Sequence, residues 1–149
     1  MGWVSTRFRL AIPAAIREEI VAHATQDRPN ECCGMLAGRI VRTEDSIVAT
    51  VERRDALTNV AAHPQTRYEA DPLELLRLQK AWRAVGIDLI CIYHSHPASP
   101  PIPSRIDREL SYAYGDTVVG MIVSLAENEP TIRVWRYDDD VSEVEWYVV

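Results

Sequence analysis

Read as a bare sequence, the chain is an α/β domain with a mixed β-sheet flanked by helices. Three observations lead there. Short apolar runs, alternating or continuous, have the period and length of strands. Between them lie three stretches with helical spacing or helix-start residues. The order that results is strand, helix, strands, helix, strand, helix, strands, which is not strict βαβ alternation and so calls for a sheet of mixed direction. With 149 residues the chain matches one domain, 1–149, and leaves no room for a second core.

Phe8, Leu10 and Ile12 alternate as a first strand. Pro13 follows where a helix can open, since its missing N–H costs nothing there. Ile16, Ile20, Val21 and Ala24 carry helical spacing, so a first helix is expected from Ala14 to Ala24. Cys33 to Arg42 is an apolar strand in which Gly34 and Gly38 imply close approach of other backbone. Ile47 to Arg53 forms the next strand, and Asp55 to Thr66 lacks periodicity and reads as loop. Asp71-Pro72-Leu73-Glu74 is a helix start, with Asp as cap, Pro at the first turn and Glu three residues on. That helix carries an apolar stripe of Leu75, Leu76, Leu78, Gln79 and Trp82, and Gly86 ends it. Ile87 to Tyr93 has the continuous apolar character of a central strand. Pro97, Pro100, Pro101 and Pro103 stiffen the next loop; a third helix is expected from Ser104 to about Tyr114. Val118 to Ser124, Thr131 to Tyr137 and Val144 to Val148 complete the strands.

Composition narrows the function classes. The 22 acidic and 16 basic residues give a net charge of −6, against a dedicated nucleic-acid binder. The three cysteines, Cys32, Cys33 and Cys91, are odd in number and two are adjacent, which does not suit a disulfide-stapled secreted domain. No apolar run approaches the ~20 residues of a membrane helix, and Met1 to Arg9 lacks the pattern of a signal peptide. The expectation is a cytoplasmic protein that binds neither nucleic acid nor membrane.

The chemistry concentrates in His94-Ser95-His96, the proline loop, and then Ser104 and Asp107. Histidines two apart on a strand point to one face, as a metal site requires. A carboxylate at the start of the next helix can complete a set of two nitrogens and one oxygen. Such a set suits zinc, and a fourth position open to water makes the site catalytic. A plain structural reading stands beside this: Ser104 and Asp107 fit a capping box. The two readings are compatible, because the cap can orient the helix that delivers Asp107. Among other candidates, Cys33 reads as a small packed residue rather than a nucleophile, His23 as a helix-face residue, Trp82 as core or helix face, and His63 as loop.

The spacing His94-x-His96, seven residues, Ser104, two residues, Asp107 resembles the JAMM, or MPN-plus, metalloprotease motif. That motif also has an upstream glutamate in a context like Glu-x-Cys-Gly-x-Leu-x-Gly. Here the segment is Glu31-Cys32-Cys33-Gly34-Met35-Leu36-Ala37-Gly38. The resemblance runs from about Phe8 to Tyr137 and implies a single MPN-like domain with a curved sheet. It further implies one zinc ion held by His94, His96 and Asp107, with Glu31 as general base and Ser104 as donor to the oxyanion of the tetrahedral intermediate. Other divalent ions would also suit such ligands.

The chain is similar to the compact prokaryotic members rather than the eukaryotic ones, which carry insertions near the catalytic centre. The stretch from Thr58-Asn59 to Thr66-Arg67-Tyr68, the phrase Ile92 to His96 and Pro103-Ser104-Arg105-x-Asp107 resemble the bacterial group that releases cysteine from the C-terminus of a small sulfur carrier. The implied activity is a peptidase or isopeptidase cutting after the C-terminal Gly-Gly of a ubiquitin-like or sulfur-carrier protein, releasing cysteine or a short tail. Glycines suit such a site because a tail without side chains can enter a narrow groove close to the metal. Two other readings stay open: a non-catalytic MPN-type interaction module, and a zinc amidase acting on small peptides. The oligomeric state is not legible.

Overall fold

The computed structural model describes residues 6–111 and 118–149. The elements in chain order are β1 (Arg7–Ile12), α1 (Ala14–Asp27), β2 (Cys33–Arg42), β3 (Ser46–Leu57), α2 (Pro72–Ala84), β4 (Asp88–His96), α3 (Arg105–Ser111), β5 (Val119–Ser124), β6 (Thr131–Tyr137) and β7 (Val141–Val148). The strands pair in the order β1-β3-β2-β4-β5-β6-β7 and close into a barrel. The sheet is mixed: β1 runs parallel to β3 and to β7, β4 runs parallel to β5, and the remaining pairs are antiparallel. Closure comes from β7, whose Glu145 to Val148 pair with Arg9 to Ile12 of β1. The curvature implied by the resemblance thus goes all the way round.

Helix α1 opens after Pro13 as expected but runs to Asp27, three residues beyond the last apolar position. It buries Ile16, Ile20 and Ala24 in the larger of two apolar clusters, together with Leu10, Ile12, Leu36, Tyr93, Met121 and Val123 from the strands. Helix α2 covers the second cluster, where Trp82 packs with Met35, Leu57, Tyr68 and Ile92. The expected stripe on α2 is narrower than the sequence suggests: Leu75 and Leu78 are half-buried, whereas Leu76 is 49% exposed.

The caps of α2 hold in part. Asp71 Oδ1 accepts from the N–H groups of Leu73 (3.0 Å) and Glu74 (3.4 Å). Glu74, however, does not reach back to Asp71: its carboxylate accepts from the Thr58 N–H and from the Thr58 hydroxyl. The Asp71 N–H donates instead to the Thr58 carbonyl (3.3 Å), so the helix start is tied to the end of β3. At the other end Gly86 adopts φ 71°. The N–H of Ile87 bonds the Trp82 carbonyl (3.0 Å) and that of Gly86 bonds the Arg83 carbonyl (3.2 Å), the two bonds of a Schellman stop.

Three strands exceed their expected bounds by three residues or more: β7 begins at Val141 rather than Val144, and β3 and β4 run on past their expected ends. β3 continues to Leu57 because Arg53 to Leu57 pair with Cys33 to Ala37 of β2 beyond a bulge at Ala37 and Gly38. The charged run Arg53-Arg54-Asp55 gives no period of its own, so only the partner strand makes it a strand. β4 continues to His96 because His94 and His96 pair in parallel with Ile122 and Ser124 of β5. The close approach expected at Gly38 is there: a Cβ at that position would meet the Thr50 carbonyl. At Gly34 the neighbour is the ring of Tyr93 rather than backbone. The part of the third helix expected beyond Ser111, at 112–114, lies outside the described residues.

Candidate metal centre

Strand alternation places His94 and His96 on the side of β4 that carries Ile92, while Tyr93 and Ser95 face the other side. Both imidazoles are buried, as are Glu31 and Asp107. Asp107 comes from the first turn of α3 and Glu31 from the short segment that leads into β2. The structure thus brings four of the five sequence-derived residues together: one ligand atom from each of Glu31, His94, His96 and Asp107 lies within 4.8 Å of the others.

Three of those atoms form a tight triangle. Asp107 Oδ2 lies 3.1 Å from His94 Nε2 and 3.0 Å from His96 Nε2, and the two nitrogens are 3.2 Å apart. Two imidazole nitrogens and a carboxylate oxygen that close and that buried are the donor set of a cation site. Zinc bonds of about 2.0–2.1 Å in a tetrahedron would place ligand atoms roughly 3.3 Å apart, near the sides of this triangle. The donor chemistry and spacing therefore fit a zinc-type ion. A hydrogen bond from His96 Nδ1 to the Pro100 carbonyl (2.8 Å) would leave its Nε2 lone pair facing the cluster.

Ser104, the fifth residue, sits at the edge of the cluster and is exposed. Its Oγ accepts the Asp107 N–H (3.1 Å), and its own N–H donates to Asp107 Oδ2 (2.9 Å), a reciprocal capping box. The capping box is therefore present, and the carboxylate oxygen that caps α3 also faces both histidines. As an acceptor in the cap, the Ser104 hydroxyl keeps its own proton to donate elsewhere.

Burial and charge set the protonation states. Burial pushes the Glu31 carboxyl up to about 7, with His96 opposing and Asp107 adding to the rise. Burial would also raise Asp107, but hydrogen bonds from His94 and His96 outweigh it and hold this carboxyl well below the usual range. Burial pushes His94 down despite Asp107. For His96 burial is outweighed by bonds to Asp107 and the Pro100 carbonyl, and the net shift is upward. A divalent cation beside these groups would favour the ionised form of Glu31, which burial opposes, and would keep that of Asp107.

The proline loop is anchored at three consecutive carbonyls: Ser99 accepts from Ser124 Oγ (2.6 Å), Pro100 faces His96 Nδ1, and Pro101 accepts from Trp135 Nε1 (3.0 Å). Sequence reasoning missed these anchors; it singled out Tyr68 as part of the resemblance but not its contact, a ring stacked on His94 with centroids 4.5 Å apart. Tyr68 lies in an aperiodic loop and gives no local signal of such a contact. His63 is exposed, though its neighbour Pro64 accepts the Glu31 N–H (2.7 Å). His23 is half-buried, with its Nδ1 2.7 Å from the Tyr93 hydroxyl, on the far side of β4 from the cluster. The three cysteines are free and buried, and burial pushes the Cys33 thiol up to about 12, which removes it as a nucleophile near neutral pH.

The closed α/β barrel with its buried Glu-His-His-Asp cluster defines a protein whose site could hold a metal ion. More narrowly, the chain belongs to the family of prokaryotic homologues of the JAB domain, whose model matches residues 13–138. It is 42% identical over 108 residues to a desampylase from Haloferax volcanii, covering 70% of this chain and 73% of that protein. It is 42% identical over 98 residues to a probable TtuB-protein conjugate cleaving protease from Thermus thermophilus, with 66% and 60% covered. It is 38% identical over 106 residues to the CysO-cysteine peptidase of Mycobacterium tuberculosis, with 71% and 68% covered. A solution structure of a protein from Desulfitobacterium hafniense is also similar, with a TM-score of 0.79, 34% identity, and coverage of 94% of this chain and 92% of that one. The relatives are named as peptidases and conjugate-cleaving enzymes, and the chain stands among JAMM-type hydrolases.

Proposed function

We propose that this protein is a zinc peptidase or isopeptidase that hydrolyses the bond after the C-terminal Gly-Gly of a ubiquitin-like or sulfur-carrier protein, releasing cysteine or a short tail. The observation that carries the reading is the buried triangle of His94 Nε2, His96 Nε2 and Asp107 Oδ2, with the Glu31 carboxylate beside it. The names of the relatives from Haloferax, Thermus and Mycobacterium support the substrate class. No helix among the described residues is long and apolar enough to cross a membrane, and the three free cysteines accord with the reducing cytoplasm we assign to it.

His94, His96 and Asp107 would hold the ion, which when bound polarises the scissile carbonyl and lowers the pKa of water at the site. Glu31 takes a proton from the attacking water and delivers it to the leaving amine. Its burial keeps it a strong enough base to accept that proton, because desolvation raises its affinity for protons. Ser104 donates its hydroxyl proton to the oxygen that gains charge in the tetrahedral intermediate. Asp107 serves twice, as a ligand and as the residue that fixes Ser104 through the cap. The products are the carrier's glycine carboxylate and a free amine, with one water consumed.

Intact mass spectrometry tests the reading. A sulfur carrier ending in Gly-Gly and extended by one cysteine is incubated with zinc-loaded protein and with Glu31→Ala. Loss of only the residue beyond Gly-Gly, absent in the variant, is the expected result. No cleavage by a zinc-loaded protein that does hydrolyse small peptides would replace the carrier with a small-amide substrate.

A further inference from the structure

The side chain of Asn59, on the loop between β3 and α2, makes every hydrogen bond open to it. Its Nδ2 donates to the carbonyls of Glu31 (2.9 Å) and Arg67 (3.1 Å). Its Oδ1 accepts from the N–H groups of Ala61 (3.0 Å) and Glu69 (3.0 Å). Two donors and two acceptor sites are all that an asparagine amide has. The same loop holds Glu31 a second time, because the Glu31 N–H donates to the Pro64 carbonyl (2.7 Å). One loop therefore engages both backbone polar groups of Glu31.

The following residue is fastened from the opposite side. The Cys32 N–H donates to Ser95 Oγ (2.8 Å), and the Ser95 N–H donates to the Cys32 carbonyl (3.1 Å). Ser95 stands between the two histidines of β4. Glu31 lies in no helix or strand, yet its backbone is clamped between the histidine strand and the Asn59 loop. Its side chain is not: Oε1 is buried with no hydrogen-bond partner among the described residues. With so little holding the carboxylate itself, its place depends on where the backbone is held.

We propose that Asn59 is a positioning residue that sets the Glu31 carboxylate against the metal ligands. The inference rests on the reading of Glu31 as the proton-transferring base. A mere loop-closing role would need only the bonds to Ala61, Glu69 and Arg67; the bond to Glu31 is the one that reaches the site. Asn59→Asp separates the two roles. It keeps the acceptor for Ala61 and Glu69 and replaces the donor with a second oxygen facing the Glu31 and Arg67 carbonyls.

Four readouts test this on the whole chain loaded with zinc. For Asn59→Asp, kcat per bound zinc falls about 10- to 100-fold, the range for residues that orient a metal site from behind. KM for the extended carrier stays within about twofold, and zinc stoichiometry is unchanged. Amide hydrogen exchange, which needs no substrate, speeds up at Glu31 and not at Ser95. A general loss of fold would instead lower zinc stoichiometry and loosen Ser95 as well, and that result overturns the inference. Wild-type kcat per zinc, or unchanged exchange at Glu31, also overturns it. Glu31→Gln is run in parallel: if it cleaves at the wild-type rate, the reading of Glu31 falls and takes this inference with it. An inactive Glu31→Gln beside a fully active Asn59→Asp removes Asn59 alone.

Discussion

Asp107 shows how much one side chain can carry. A single oxygen, Oδ2, accepts the N–H that opens α3 and faces two histidine nitrogens. Replacing Asp107 with Ala should therefore remove the metal and one of the two bonds of the cap together: elemental analysis should show zinc lost, and His96→Ala should do the same. Glu31→Ala should retain zinc while losing cleavage, because the carboxylate is not needed to complete the set of three. Zinc retained by Asp107→Ala would take it off the ligand list. Ser104→Ala should lower kcat by about 10²–10³-fold through loss of the oxyanion donor and cost about 1 kcal/mol of stability through loss of the cap. Ser104→Thr keeps a hydroxyl for both tasks and should recover most of each; a variant that regains stability but not rate would confine Ser104 to capping. Glu31 also gives a pH prediction. Burial favours its neutral form up to about pH 7 in the metal-free protein, and a nearby dication favours the anion. Infrared titration of the carboxyl band should thus show a midpoint near 7 without metal and a lower one after zinc is added. The raised value also means that, without metal, this group destabilises the fold as pH rises from the ordinary 4.5 towards 7.

The elements owe their positions to contacts of different ranges. Helix α2 starts and stops on local chemistry, with Asp71 capping one end and Gly86 in a left-handed turn at the other. Asp71→Ala should cost about 1 kcal/mol in a denaturant titration, and more if the bridge through Thr58 and Glu74 also loosens. Strands β2 and β3 owe their register to a long-range fit: at the bulge the Gly38 backbone lies against the Thr50 carbonyl, with no room for a Cβ. Gly38→Ala should push β3 off that register and destabilise the protein by several kcal/mol, the range for strain at a tightly packed backbone position. A variant with an unchanged unfolding midpoint would show that the strands can part there without loss. The α3 cap and the end of β4 were readable as separate motifs. Their meeting depends on the proline loop, whose carbonyls are held by Ser124, His96 and Trp135.

At the scale of the whole molecule the barrel brings the site together from four places in the chain: the approach to β2, the end of β4, the start of α3 and the loop that carries Tyr68. A bound ion would tie the end of β4 to the start of α3 and so stabilise the native state by mass action. Removing metal with a chelator should lower Tm, and zinc should restore it in a concentration-dependent way. A Tm indifferent to both would mean that the cluster does not bind the ion in the folded protein.

By itself, the sequence determined the helix starts and most of the strands, and it singled out the five residues proposed to carry the chemistry, Glu31 and Ser104 through the family resemblance. Those signals are local: a period of two or of 3.6, a cap, a glycine, a pair of histidines on one strand face. Tertiary structure alone decided the closure of the sheet through β7, the extension of β3 past its own apolar pattern, and the stacking of Tyr68 on His94. It also decided that Asn59 holds Glu31, because a hydrogen bond between residues 28 positions apart leaves no period in the sequence. The physical reason is common to these cases. Each rests on a partner that the chain supplies from elsewhere, and a partner's distance in space is not written in the spacing along the chain.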